Sequence, residues 1–349
     1  MLNCAFVIPG DLTLATGGYA YDRHVLAGLA VHGVAAVHVA LPGAYPNPTD
    51  ADVAASAAVL AALPVDTTLL IDGLAYGAFP ASLLAGITQR IVALVHHPLG
   101  LETGVLPARA AQLIALETAA LARADHIVVT SPLTKRLLVT DFAVAPDNVT
   151  VAEPGTAPAG RAAGSTSGPL HLLAVGSIVP RKGYPILIDA LTGLTSTVDW
   201  RLSIVGSARD ADDAARLDTG IANSRLSRQV EVLGTVINAE LDALYATTDV
   251  FVMPSLYEGY GMVLAEAMAR GLPIVCTTGG AAAETVPDAA ALKVPPGDPG
   301  ALRKALRRVI TEPQLRSTLA DASWAAGQNL PRWADTCRII ATAIKGVSA

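Results

Sequence analysis

Short apolar runs alternate with helix-length segments along nearly the whole chain, and that alternation narrows the folds open to it more than any other feature. In the first part the apolar runs fall at 4–8, 34–41, 68–72, 91–95 and 126–130, with helical patterns at 18–32, 51–62, 109–123 and 132–139. Further strand-like runs lie near 170–175, 201–205, 230–233, 250–253, 274–276 and 291–294, again with helices between them. Strands joined by helices build parallel sheets with crossover connections, so the expected class is α/β, with two doubly wound Rossmann-like domains in series. Between the two series, residues 153–169 (EPGTAPAGRAAGSTSGP) carry no periodicity and read as an interdomain linker.

A length of 349 residues fits two domains and a sizeable core. The formal charge is −6 and the acidity sits in the first part, so neither half offers a basic face for nucleic acid, and the charge gives no support for contact with a membrane surface. The three cysteines, Cys4, Cys276 and Cys337, match no zinc or redox spacing, which points to a reduced, cytoplasmic compartment. The first residues, MLNCAFVIPGD, lack a basic leader and read as a buried strand. No window reaches the roughly 18 uninterrupted apolar residues of a bilayer span.

Residues 255–266, SLYEGYGMVLAE, hold two glutamates around a glycine turn, placed between the 250–253 strand and a helix from Met262 to Arg270. In a strand–glycine loop–helix unit, free backbone N–H groups and the positive end of the helix dipole favour a diphosphate. Gly259 and Gly261 allow close backbone approach, with Tyr260 between them, and Glu258 and Glu266 stand at different depths, where a carboxylate can accept from vicinal sugar hydroxyls. A second loop, VGSIVPRKG at 175–183, brings Arg181 and Lys182 to a helix entrance. Cations there oppose the helix dipole, which makes the pair candidate phosphate ligands. In the first domain Gly17 and Gly18 open a helix after the first strand, another backbone cradle. His96, at the end of the IVALV strand, is either a loop residue with one hydrogen bond or part of a site. Asp-Ala-Asp at 50–52 and 210–212 lies in polar loops, where no third ligand can be placed for a metal.

With these residues in view, the chain resembles the retaining, nucleotide-sugar-dependent glycosyltransferases of the family-4 type, which have the GT-B fold. The resemblance is specific from about Leu170 to Pro296, through VGS…PRKG, LGTV at 233–236, ELDALYATTDVFVMPS, EGYGMVLAE, GLPIVCTTGG and Glu284. It is looser through TGGYAYDRHVLAGL at 16–29, His96 and ADHIVVTSPLTKRLL at 124–138. It implies two Rossmann-like domains facing each other across a cleft. The acceptor domain would be 1–155, completed by the C-terminal helix 332–349; a linker would run over 156–168, and the donor domain would be 169–331. It also implies that Lys182 binds the diphosphate, Glu266 the ribose, the backbone near Val236 the base, and Glu258 with the amides of Gly259 to Met262 the transferred sugar and phosphate. Gly17 and Gly18 would meet the diphosphate from the other side, and His96 would lie near the reacting sugar and the acceptor. The implied reaction moves a sugar from a nucleotide-sugar donor to a glycan, lipid-linked or small-molecule acceptor, with retained anomeric configuration and neither cofactor nor metal. At Ser177 the family often has arginine, a departure that bears on donor affinity, with Arg181 available to supply the charge. Two other readings share the architecture: a sugar-nucleotide epimerase, and a non-catalytic nucleotide-sugar-binding protein. An NAD-dependent dehydrogenase is disfavoured because no G-x-G-x-x-G follows a predicted strand.

Overall fold

The computed structural model describes residues 1–194 and 198–348; Ala349, the end of the expected C-terminal helix, lies outside the described residues. The chain divides into two compact units, one of Met1–Gly155 with Pro331–Ala349 and one of Thr156–Leu330.

The first unit is built on β1 (Leu2–Pro9), β2 (Val34–Leu41), β3 (Thr68–Asp72), β4 (Ile91–Val95), β5 (His126–Val129) and β6 (Val149–Val151), all parallel, in the order β2-β1-β3-β4-β5-β6. Its helices are α1 (Gly17–Gly28), α2 (Asp50–Ala61), α3 (Gly73–Tyr76), α4 (Ala81–Gly86), α5 (Pro107–Leu121) and α6 (Pro132–Asp141), joined by the last helix of the chain, Trp333–Ser348. β3 and β4 are buried at every position, as expected of parallel strands covered on both faces. The last helix presents Cys337, Ile340, Ala341 and Ile344 to this unit and leaves the other face to solvent. Gly28 makes that docking close, because a Cβ on it would stand 2.4 Å from Cys337 Sγ. Trp333 stacks on His24, with ring centroids 4.1 Å apart.

The second unit carries β7 (Leu170–Val175), β8 (Trp200–Val205), β9 (Val230–Gly234), β10 (Val250–Met253), β11 (Ile274–Thr277) and β12 (Ala291–Val294), again parallel, in the order β12-β11-β10-β7-β8-β9. Its helices are α7 (Tyr184–Thr192), α8 (Ala211–Asn223), α9 (Asn238–Ala246), α10 (Met262–Ala269), α11 (Ala282–Thr285), α12 (Pro299–Thr311) and α13 (Pro313–Gly327); the Trp333–Ser348 helix is then α14. One apolar cluster packs on each face of the sheet, around Leu187, Ile204 and Leu306 on one side and Phe251, Leu264 and Met268 on the other. Among the described residues no helix is long and apolar enough to cross a membrane.

Several local expectations are corrected. The alternation left out β6, α3 and α4, which span three, four and six residues and are too short to carry a period. Both Asp-Ala-Asp runs start helices instead of sitting in loops: Thr49 and Asp52 form a reciprocal capping box on α2, and Asp210 caps α8 by accepting from Asp213 N at 2.8 Å. The low-complexity segment at 156–168 is tied to the second unit. Its Ala162 N donates to Arg270 O and its Ala163 N to Ala246 O, while Ser165 N donates to Asp249 Oδ1, contacts that composition does not reveal.

Candidate functional site

In the second unit the chain winds outward from β7 to β9, then returns and winds the other way from β10 to β12. β7 and β10 therefore lie side by side where the strand order reverses. At such a switch point the loops after the two strands diverge and leave room at their carboxyl ends. The β7 loop runs from Gly176 through the half-buried Ser177 to a 3-10 turn at Pro180–Lys182, then Gly183. Gly183 has φ 65°, and a Cβ there would stand 2.4 Å from Pro254 O, so glycine is what lets the two loops meet. Leu256 N donates to Arg181 O at 2.7 Å and fastens them.

Across this junction Glu258, 6% exposed, accepts from Lys182 Nζ at 2.6 Å through Oε1 and faces Arg181 Nη1 at 3.1 Å through Oε2. Burial by itself disfavours the carboxylate, but the charges of Lys182 and Arg181 outweigh it and hold the group at about 2. Arg181 Nη1 also donates to Tyr257 O at 2.8 Å. The anion expected between the two cations is thus present within the protein as Glu258, and the three side chains together carry a net charge of one positive unit. Gly261, in the left-handed region at φ 90°, caps α10, and its carbonyl accepts from Leu264 N at 2.8 Å in the first turn. Glu258 N donates to Gly279 O and Ala281 N to Glu258 O, so the Glu258–Gly259 backbone is held like a short strand. Tyr260 is buried, and its carbonyl accepts from Thr285 Oγ1 at 2.6 Å, while Met262 stays half-buried at the helix start.

Glu266 is half-buried inside α10, where Oε2 accepts from the Tyr245 hydroxyl at 3.0 Å. Burial raises its pKa against the opposing effects of Tyr245 and Arg270. Arg270 lies over the Tyr245 ring, 4.4 Å from its centroid, and pairs with Asp242. Val236 is half-buried in the loop between β9 and α9.

In the first unit the strand order reverses between β1 and β3. Gly17 and Gly18 form the first turn of α1, capped by Thr16; Gly17 faces open space, and Gly18 faces the His96 ring, which a Cβ would approach to 3.6 Å. His96 follows β4, and its ring keeps 22% of its surface exposed. Its Nε2 lies 3.2 Å from Asp22 Oδ1 and 3.8 Å from Asp72 Oδ2. Burial disfavours the imidazolium, but Asp22 and then Asp72 lift His96 to about 9. Burial, reinforced by the charge of Asp22, lifts Asp72 to about 8. Among the described residues this is the group of His, Cys, Asp and Glu side chains whose ligand atoms, all within 4.8 Å of one another, could meet a metal ion.

The structure therefore brings Glu258, Lys182 and Arg181 into direct contact, keeps Glu266 on the next helix with Tyr245, and sets His96 beside Gly18. Sequence reasoning missed Asp22, Asp72, Tyr245 and Arg270. The first two carried no local signal, since Asp22 stands beside Arg23 and Asp72 ends a short strand next to Gly73.

Residues 161–323 match the family described as glycosyl transferases group 1. Among curated relatives, the GDP-mannose-dependent monoacylated alpha-(1-6)-phosphatidylinositol monomannoside mannosyltransferase of Corynebacterium glutamicum is 33% identical over 156 residues, 42% of this chain and 40% of the relative. The MMP alpha-(1->4)-mannosyltransferase of Mycolicibacterium hassiacum is 28% identical over 283 residues, 74% of this chain and 67% of the relative. The match thus spans less than half of the first relative's own length. Among solved structures, sucrose-phosphate synthase from Thermosynechococcus elongatus superposes with a TM-score of 0.79 at 21% identity, over 99% of both chains. Anabaena HepE in complex with UDP and glucose gives 0.76 at 16% identity, over 99% of this chain and 100% of that one. These likenesses establish the GT-B fold.

Proposed function

We propose that this chain, whose second unit belongs to the group 1 glycosyl transferases, moves a sugar from a nucleoside diphosphate sugar to an acceptor hydroxyl with retention of anomeric configuration. The observation that carries this reading is the Lys182–Glu258–Arg181 junction at the switch point beside the start of α10. Cleaving the anomeric bond develops positive charge on the sugar and negative charge on the departing diphosphate. The cations of the junction, together with the amino-terminal end of α10, meet that leaving charge in a preorganised way. Glu258 has both oxygens committed to cations and is held ionised, which suits a group that orients a sugar hydroxyl and its neighbouring cations, and does not suit a covalent nucleophile. Glu266, with Oε2 anchored by Tyr245, is suited to accept from ribose hydroxyls through its remaining acceptor positions. Val236 takes the base side, and Gly259 to Met262 lie along the phosphates. We extend the same proposal to Gly17, Gly18 and His96. The name of the Corynebacterium glutamicum relative makes GDP-mannose the first donor to try.

The test is release of nucleoside diphosphate from GDP-mannose and from UDP-glucose, followed by proton NMR of the anomeric signal in the product. Release with an α-configured product from an α-configured donor supports the reading. A β-configured product would overturn retention. Tight donor binding without any release, across acceptors, would favour a binding protein, and conversion of the donor into another nucleotide sugar would favour an epimerase.

A further inference from the structure

Two carboxyls, Asp22 on α1 and Asp72 at the end of β3, are fully buried beside one histidine, and the role proposed for His96 does not account for them. Their arrangement is specific. Asp22 Oδ1 faces His96 Nε2 at 3.2 Å, and Asp72 Oδ1 accepts from Leu74 N at 2.6 Å, which leaves Asp72 Oδ2 turned to the cluster. Asp22 Oδ2 is buried and finds no N–H or hydroxyl donor among the described residues, a costly state for a carboxylate oxygen. Asp72 stands within hydrogen-bonding reach of Asp22, so a proton on Asp72 is the missing donor. Two adjacent buried carboxylates cannot both be ionised without a large cost.

We propose that Asp22 and Asp72 share one buried proton and together act as positioning residues for His96, holding its ring as a cation with Nε2–H turned inward to Asp22 and Nδ1–H left for a ligand oxygen. The charges then balance: one carboxylate and one imidazolium, with the second carboxyl neutral. Tyr21, also titratable and also from α1, faces the ring at a centroid distance of 5.3 Å. Its hydroxyl donates to Ala152 O at 2.9 Å, and burial keeps it well above its usual range, so it stays neutral. On the far side His97 is engaged by Glu102 at 2.8 Å, and Thr130 donates to the His96 carbonyl. Burial opposes a charge on His96, yet its carboxyl neighbours, Asp22 foremost through its charge and its hydrogen bond, lift it from 6.5 to about 9, so the cation persists through neutral pH and is lost as pH rises through that value. A permanently charged donor, fixed by a buried pair, would grip an anionic or developing anionic oxygen, the chemistry of a diphosphate sugar. This inference rests on His96 belonging to the reaction site.

The experiment is a pH titration of the His96 ring by long-range nitrogen–proton NMR on the full chain labelled at histidine, with His96→Gln to assign the signal. In the wild type the ring should stay protonated beyond pH 8. Asp22→Asn removes the balancing charge and should lower the midpoint by about 1–3 units. Asp72→Asn places a neutral amide where the neutral acid stands and should leave the ring protonated at pH 7. A wild-type midpoint near 6.5, or an Asp22→Asn ring that titrates as the wild type does, overturns the proposal. If Asp22→Asn does not fold, the wild-type curve and Asp72→Asn still decide. Ring signals that change on adding EDTA would put a metal ion where we place the proton, and that also overturns it. The alkaline limb of the transfer rate should move down with the ring midpoint in Asp22→Asn. Because the titration is read on free protein, it stands or falls separately from the proposed transfer reaction.

Discussion

Glu258→Gln preserves the shape of the side chain and deletes the charge on which Lys182 and Arg181 converge. The carboxyl is held at about 2 against an ordinary 4.5, a difference of about 2.5 units. At about 1.36 kcal/mol per unit, the folded state gains on the order of 3 kcal/mol at neutral pH from keeping Glu258 ionised. Removing one partner of a buried ion pair costs about 3–5 kcal/mol in general, and the partial exposure of Lys182 and Arg181, 12% and 23%, argues for the lower end. Since the folded-state pKa is depressed, the stabilisation is complete above pH 4.5 and fades as pH falls from there through 2. The penalty of the variant should therefore be about 3 kcal/mol and flat between pH 7 and 5, then shrink in stronger acid. Urea unfolding followed by tryptophan fluorescence measures it. Trp200 and Trp324 lie in the second unit, so a Trp333→Phe background keeps the first unit out of the signal. The deletion also raises the net charge of the junction from one positive unit to two, so free GDP should bind the variant at least as tightly as the wild type, while sugar transfer falls. A variant within about 0.5 kcal/mol of the wild type, the range of an ordinary surface change, would refute the idea that the junction is a coupled, buried charge system.

Lys182→Ala should lower turnover by roughly 10²–10³, measured as nucleoside diphosphate release, and, because it leaves the buried Glu258 with Arg181 alone, should also cost about 2–3 kcal/mol of stability in the urea unfolding measurement. Glu266→Ala should weaken nucleotide binding by about 1.5–3 kcal/mol in calorimetry, and Tyr245→Phe by a smaller amount, because it frees the carboxylate without removing it. Gly28→Ala drives a methyl group against Cys337 Sγ and should destabilise the first unit by about 1–3 kcal/mol, a cost that Cys337→Ala should largely relieve in a double-mutant cycle of thermal unfolding.

The parallel two-sheet architecture was legible because β4 and β10 are continuous apolar runs and β1 and β3 carry apolar centres, all separated by helix-length segments, a pattern set by burial on both sheet faces. What escaped was either short, as with β6, or hidden in composition, as with residues 161–165, whose small side chains suggest a free tether while their amides are bonded to Ala246, Asp249 and Arg270. At the candidate site, Arg181, Lys182 and Glu258 stood out because charged residues beside glycines at strand ends are locally unusual. That Lys182, 76 positions away, and its neighbour Arg181 would reach Glu258 depends on β7 and β10 being neighbours, and no local pattern encodes strand order. Asp22 and Asp72 are the same case with 50 positions between them. Each is an unremarkable acid in its own segment, and only the sheet makes them a pair.

The return of α14 to the first unit sets an order of events during synthesis. The second unit is one uninterrupted stretch, Thr156–Leu330, so every residue it needs has been synthesised before α14 is made. The first unit has no such luxury. Its β-sheet emerges early, yet the groove beside Gly28 and the rings of Tyr21 and His24 wait for Trp333 and Cys337, more than 300 residues later. At about 5–20 residues per second that gap lasts on the order of tens of seconds. Through that interval the first part to emerge is the last to be finished, and the chain carries an apolar seam that a chaperone, or another nascent chain, can find first.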